Sequence, residues 1–195
     1  MPILALFDFD GTITNKDSLL HFTGYAKGQV SLYAGLMMLS PLIALNKMSI
    51  VSSQFTKNCF LKYFFAKTDK EKFNQLCKSY AATALEKIIR TTAIEKIHWH
   101  KQQGHRVMVV SASPENYIRP WCDALGIECI ATKLLTTGKF ISGRIDGLNC
   151  NAEEKKKRIE AIVDLASFAD IYGYGDTSGD KAMLAVCTKP FYQYF

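Results

Sequence analysis

The 195-residue sequence predicts an α/β fold: a mostly parallel sheet with helices on both faces and an inserted helical segment. Three observations carry this reading. From about residue 91 to the end, short apolar runs of strand length alternate with helical patterns, and that alternation builds a parallel sheet covered on both sides. One more strand-like run, Ile3-Leu4-Ala5-Leu6-Phe7, stands at the start of the chain. Between them, residues 15–90 are mostly of helical periodicity.

The first strand, Ile3–Phe7, ends in Asp8-Phe9-Asp10-Gly11-Thr12. In the insertion, Val30–Leu45 is almost wholly apolar, interrupted by Ser40-Pro41, and is expected as a buried helix. Phe55, Cys59, Phe60, Tyr63 and Phe64 make a second apolar face. Phe73, Leu76, Cys77, Tyr80, Ala84, Leu85, Ile88 and Ile89 recur at three- and four-residue steps, an amphipathic helix starting at Asp69. Beyond the insertion, Arg106–Ser111 reads as a buried strand and Ser113-Pro114-Glu115 as an N-cap followed by Pro at the first helical position. Ile127–Ala131 is a short strand, and Leu135–Ile145 a hairpin around Thr137-Gly138-Lys139. A helix over Ala152–Phe168, a strand over Asp170–Gly175 and a last strand over Ala185–Thr188 complete the pattern. The aromatic end, Phe191–Phe195, packs on either the core or the insertion.

Composition narrows the function classes. Apolar residues make up 48% of the chain, enough for one full core, and 22% charged residues argue against disorder. The net charge of +6 favours anionic substrates or surfaces. Nucleic acid is not an expected partner, because no basic stripe is interleaved with aromatics. The basic run Lys155–Arg158 falls in a helical segment, where such runs are usually solvated faces. Six cysteines show neither CxxC nor zinc spacing, and most lie in apolar surroundings, where they read as buried free thiols. A reducing compartment fits, no signal-peptide pattern is visible, and a cytoplasmic location is expected. Val30–Leu45 is too short and interrupted for a clear membrane span. Peripheral membrane contact through that segment is the alternative to burial.

The chemistry concentrates in carboxylates. A strand directs residues i and i+2 to one side, so Asp8 and Asp10 face one place. Asp176 follows a strand directly, and Asp180 lies four residues on, at an expected helix start. Four acids together repel one another unless a cation joins them. An all-oxygen set without His or Cys points to Mg²⁺ rather than zinc. Asp8, Ser111 and Asp176 all fall at predicted carboxyl ends of strands, where ligands of such sheets bind. The histidines offer less: His98 and His100 point to different faces of one helix, and His105 lies in a Gly-His turn before a strand. His21 stays open between a core and a site role.

With these residues in place, the chain resembles the haloacid-dehalogenase superfamily of phosphohydrolases, subfamily IB, and is most similar to its phosphoserine-phosphatase branch. Asp8-x-Asp10-Gly11-Thr12, Ser111, Lys155 and Gly175-Asp176-x-x-x-Asp180 match the four family motifs in order, over residues 8 to 180. Asn149-Cys150-x-x-x-x-Lys155 resembles the neighbourhood of the third motif in this branch. The resemblance implies a Rossmann-like core, residues 1–14 and 91–195, with residues 15–90 as a helical cap. It implies an aspartyl-phosphate on Asp8 and acid–base work by Asp10. Mg²⁺ would be held by Asp8, the Asp10 carbonyl and Asp176. Phosphate contacts would come from Ser111, Lys155 and the backbone near Gly11, with Thr12 and Asp180 in support.

In phosphoserine phosphatases an acidic cap residue takes the substrate amine and a cap arginine its carboxylate. Asp17 falls at the acidic position, where it also suits the N-cap of the helix beginning Ser18-Leu19-Leu20. No arginine precedes Arg90, and Lys47, Lys57 or Lys62 would serve only as point charges. The leading expectation is therefore a Mg²⁺-dependent hydrolase of a small soluble phosphate monoester. The alternatives are a lipid-phosphate phosphatase at the membrane surface, like phosphatidylglycerophosphatase, and a phosphate-binding protein without catalysis. A phosphonatase would need a Schiff-base lysine in the cap, and no position in the sequence stands out for one.

Overall fold

The computed structural model describes all 195 residues. Strand β1 (Ile3–Phe7) is central in a five-stranded sheet of order β4-β3-β1-β7-β8, formed with β3 (Arg106–Pro114), β4 (Glu128–Thr132), β7 (Asp170–Gly175) and β8 (Lys189–Tyr192). Every neighbouring pair is parallel. Alternation along β1 shows why both faces are covered. Ala5 and Phe7 enter one buried cluster with Val107, Val109 and Tyr174. Leu4 and Leu6 enter another with Met108, Val110, Ile159 and Ile171. The expected α/β class is what the structure shows.

Between β1 and β3 the chain runs through α1 (Ser18–Lys27), α2 (Gln29–Lys47), α3 (Ser53–Phe65), the two-residue β2 (Thr68–Asp69), α4 (Lys70–Thr83), a 3₁₀ turn at Leu85–Ile88 and α5 (Thr91–Gln102). Asp69 starts α4 as expected, its carboxylate accepting from the Glu71 and Lys72 N–H groups; such a cap stabilises a helix by about 1 kcal/mol. The two crossings into and out of this segment are stitched together. Asn15 N–H donates to the Ile88 carbonyl at 2.8 Å, and Arg90 N–H to that of Ile13 at 2.8 Å. After β3 come α6 (Glu115–Leu125), β4, the hairpin β5 (Leu134–Thr137) and β6 (Phe140–Ile145), α7 (Glu153–Glu160), β7, a 3₁₀ turn at Ser178–Asp180, α8 (Lys181–Leu184) and β8. The hairpin stands outside the main sheet: β6 pairs antiparallel with β2 of the insertion.

Several sequence expectations are corrected. The segment 30–45 is neither broken nor buried. Helix α2 runs through Pro41, and only Leu32 and Gly35 along it are buried, so apolar content there does not mark a core. Strand β3 extends to Pro114, so Ser113 lies in the strand rather than capping α6. The helix expected over 152–168 ends at Glu160, before a 3₁₀ turn at Leu165–Ser167. The amphipathic helix begun at Asp69 stops at Thr83, its last apolar residues continuing in the 3₁₀ turn. The last strand is Lys189–Tyr192, not 185–188. It brings the aromatic end onto the core, where the Phe191 ring stacks on Tyr174 at 5.0 Å and Phe195 lies parallel to Phe7 at 6.4 Å.

Candidate active site

Register places the site. Phe7 on β1 lies opposite Val109 on β3 and Tyr174 on β7. Asp8, one residue on, and Ser111 and Asp176, two residues on, therefore lie along one edge of the sheet. Asp8 N–H donates to the Tyr174 carbonyl at 2.9 Å, which pins the first carboxylate to the neighbouring strand.

Lys155, near the start of α7, is 1% exposed and reaches into this edge. Its Nζ donates to Asp8 Oδ1 and, at 2.6 Å, to Asp180 Oδ1. Asp180 Oδ2 in turn accepts from the backbone N–H groups of Asp176, at 3.2 Å, and Thr177, at 2.9 Å. Despite its burial, Asp180 is held below the usual carboxylate range by Lys155 and these bonds. Asp8 moves the other way. Burial pushes it up to about 7, with Lys155 opposing and the Asp180 and Asp10 charges adding to the rise.

Asp176 lies against the Gly11-Thr12 turn, where Thr12 Oγ1 donates to Asp176 Oδ1 at 3.2 Å. Gly11 has φ +88°, and a Cβ there would sit 2.1 Å from Asp176 Oδ2. Only glycine fits, for backbone conformation and for space. Burial and Asp180 raise the Asp176 carboxyl.

Ligand oxygens of Asp8, Asp176 and Asp180 all lie within 4.8 Å of one another. Three carboxylates against the single Lys155 ammonium leave the cluster short of positive charge. All its donors are hard oxygens, and a Mg²⁺ ion suits that set.

Asp10 is turned away from this cluster and held on both oxygens. The Ser18 N–H donates to Oδ1 at 2.6 Å, and Ser113 Oγ to Oδ2 at 2.5 Å. Ser18 Oγ also contacts Ser113 Oγ and the Tyr117 hydroxyl, each at 3.2 Å. The carboxylate is thereby clamped between the first residue of α1 and the end of β3. Ser111 Oγ accepts from the Ser113 N–H at 3.0 Å, fixing that strand end.

Asp17 is the N-cap of α1, accepting from the Leu20 N–H at 2.9 Å. It also lines a cavity of about 310 Å³ with Lys16, Leu20, His21 and residues of α2. Of the three lysines weighed for a substrate carboxylate, only Lys57 enters the site; Lys47 and Lys62 are exposed elsewhere. Lys57 Nζ donates to the Ala112 carbonyl at 3.0 Å and Asn149 Oδ1 at 3.3 Å. Burial lowers its pKa, with Asp10 and Asp17 pulling it back up.

Among the histidines, His21 Nδ1 lies 2.9 Å from the Tyr80 hydroxyl. His100 is buried between His105, at 2.7 Å, and the Tyr174 hydroxyl, at 3.0 Å. His100 makes core contacts away from the carboxylates, whereas His21 shares the cavity with Asp17. All six cysteines are free.

Sequence reasoning gave no site role to Ser18, Ser113, Tyr117 or Thr132, and named Asn149 only as a neighbour of the third motif. Ser113 gave only a cap signal: β3 shifts register between Ser111 and Pro114, so strand alternation does not place its side chain. Asn149 stood in the sequence only as part of the Asn149-Cys150-x-x-x-x-Lys155 likeness, with no contact assigned to it. Its place rests on Thr132 Oγ1, which donates to Asn149 Oδ1 at 3.1 Å across 17 residues.

A family model described as haloacid dehalogenase-like hydrolase matches residues 5–185. The chain belongs to that family. It is 28% identical over 205 residues to Protein CicA of Caulobacter vibrioides, covering 100% of this chain and 87% of that one. It is 26% identical over 209 residues to a histidinol-phosphatase of Neisseria meningitidis serogroup C, covering 97% and 89%. Its fold matches that of a substrate-bound phosphoserine phosphatase with a TM-score of 0.71 at 18% identity, over 98% of this chain and 86% of that one. Phosphatase is the activity that this membership and the phosphatase-named relative support.

Proposed function

We propose that the chain is a Mg²⁺-dependent phosphomonoester hydrolase acting through an aspartyl-phosphate on a small phosphorylated metabolite. The observation that carries this reading is the division of the acids into two environments. Asp8 sits in the buried cluster with Lys155, Asp176 and Asp180, whereas Asp10 is clamped separately by Ser18 and Ser113. Two carboxylates with distinct settings suit distinct roles.

Lys155 engages Asp8 Oδ1 and leaves Oδ2 for attack on phosphorus. The new Asp8–phosphorus bond forms as the ester oxygen departs, and Asp10 gives that oxygen its proton. Asp10 then takes a proton from water, which attacks phosphorus and releases phosphate from Asp8. Asp8, Asp176 and the Asp10 carbonyl would hold Mg²⁺, which neutralises charge between the acids and the phosphate dianion. Lys155 and Ser111 stabilise the transferring oxygens, with backbone N–H groups around Gly11. Asp180 orients Lys155, and Thr12 steadies Asp176. The segment 15–90 serves as a cap that excludes water. An intact set of these residues favours catalysis over simple phosphate binding.

Substrate choice falls to Asp17 and Lys57. Lys57 is a point charge already occupied by Ala112 and Asn149, without the two-pronged donor of an arginine. That weighs against phosphoserine itself. A lipid phosphate is the second reading, favoured by the exposure of α2.

The test is phosphate release from phosphoserine, histidinol phosphate, sugar phosphates, nucleotides and detergent-dispersed lipid phosphates, with Mg²⁺ or EDTA. Wild type and Asp8→Asn are run side by side. Release that needs both Mg²⁺ and Asp8 is expected. Release that survives in Asp8→Asn would sink the mechanism.

A further inference from the structure

Helix α2 is apolar on two sides and covered on one. Its inner side packs on the fold through Leu32, Gly35 and the partly buried Leu36 and Leu39. A Cβ at Gly35 would lie 2.2 Å from the Phe64 ring, so α2 and α3 approach closely there. Its outer side carries Val30, Tyr33, Met37, Met38, Leu45 and, just beyond, Met48, all exposed, four of them by 65% or more of their surface besides Val30 at 84%. They repeat at steps of three, four and seven residues, a continuous stripe along the helix. A helix apolar all round is ordinarily buried in protein or lipid.

Charge identifies what covers the stripe. From Ser18 to Thr68 the sequence contains no aspartate or glutamate, while Lys27, Lys47, Lys57, Lys62 and Lys67 fall within it. Lys57 turns into the active site, and the other four are exposed. Lys27 and Lys47 bracket the stripe at its two ends. A second copy laid antiparallel on α2 would bring these lysines together with no acid in the segment to neutralise them. An anionic lipid surface complements both the stripe and its flanks.

We propose that α2 docks in the plane of an anionic bilayer. The helix is 19 residues long, with mean hydropathy 1.3 over its central window. Its packing on α3 and its short links to α1 and α3 keep it on the face of the fold, so it lies on the membrane rather than crossing it. The cavity that holds Asp17 is walled by Leu32, Tyr33 and Leu36 of this helix. Docking therefore brings the mouth of that cavity close to the bilayer surface.

The test is co-sedimentation of the full chain with vesicles of phosphatidylcholine alone and of phosphatidylcholine with phosphatidylglycerol. Binding to the anionic vesicles at least tenfold above that to neutral ones is expected, weakening as salt rises. Met37→Glu with Met38→Glu is expected to reduce it at least tenfold, with unchanged melting temperature and unchanged hydrolysis of a soluble monoester. Absent binding, equal binding to both vesicles, or equal binding by the variant would overturn the proposal. So would a lipid-free dimer that the variant dissociates, which would give the stripe to a second copy. Vesicle binding is read without turnover, so its failure leaves the phosphatase reading standing.

Discussion

Replacing Lys155 by methionine removes the one buried cation between two buried acids. Lys155 is 1% exposed, Asp180 1% and Asp8 6%. Methionine approximates the lysine stem but leaves both carboxylates facing each other. Breaking a buried ion pair from one side costs about 3–5 kcal/mol, which for a chain of this length is a fall of about 6–20 °C in melting temperature. The loss depends on pH with a definite sign. Asp8 is already raised to about 7, and without Lys155 it rises further. A carboxyl whose folded pKa is raised favours the fold at low pH and loses that contribution as pH climbs through the folded value. The deficit of the variant is therefore expected to be large at pH 8 and to shrink toward pH 5. Added Mg²⁺ is expected to recover more stability in the variant than in wild type. Thermal melting in EDTA and in Mg²⁺, at both pH values, measures all of this. A variant melting within about 2 °C of wild type at pH 8 in EDTA, the scale of a surface substitution, would refute the electrostatic account of the cluster.

Other substitutions probe the remaining parts. Gly11→Ala forces a side chain into a left-handed turn and onto Asp176; Mg²⁺ titration of activity is expected to show at least tenfold weaker half-saturation. Ser113→Ala frees one oxygen of Asp10 and is expected to lower kcat about tenfold with little change in KM, a small share of the roughly 10²–10⁴ that acid–base catalysis supplies. His100 is lowered to about 4, chiefly by burial. The unfolded chain, with an ordinary histidine, binds more protons between about pH 6.5 and 4, so stability falls as pH falls through that window, by on the order of 3 kcal/mol. His100→Gln is expected to flatten that part of the pH–stability curve in denaturant melts.

The fold and the heart of the site were legible because their signals are local. Ile3–Phe7, Arg106–Ser111 and Asp170–Gly175 are short apolar runs bounded by turn residues, and the clustered carboxylates sit where the first and last of them end. What the sequence hid depends on tertiary contact. Helix α2 has the composition of a core helix, yet the fold leaves its outer side open, and composition does not say which side a neighbour will cover. Ser113 looked like a helix cap because Ser-Pro-Glu is a common cap pattern; its hydrogen bond to Asp10 spans 103 residues and carries the strand past it. Lys57 could not be told from Lys47 and Lys62, because which of them meets the site is set by how α3 packs.

The central claim is that the phosphoryl group passes through Asp8. Acid-quenching the wild-type enzyme during turnover, then locating any phosphoryl adduct by peptide mass spectrometry, tests it most directly. The expected result is one phosphoryl group on the peptide carrying Asp8, accumulating further in Asp10→Asn if water attack is slowed more than transfer, and absent in Asp8→Asn. Rapid phosphate release by wild type with no adduct on that peptide, together with turnover in Asp8→Asn, would contradict the account.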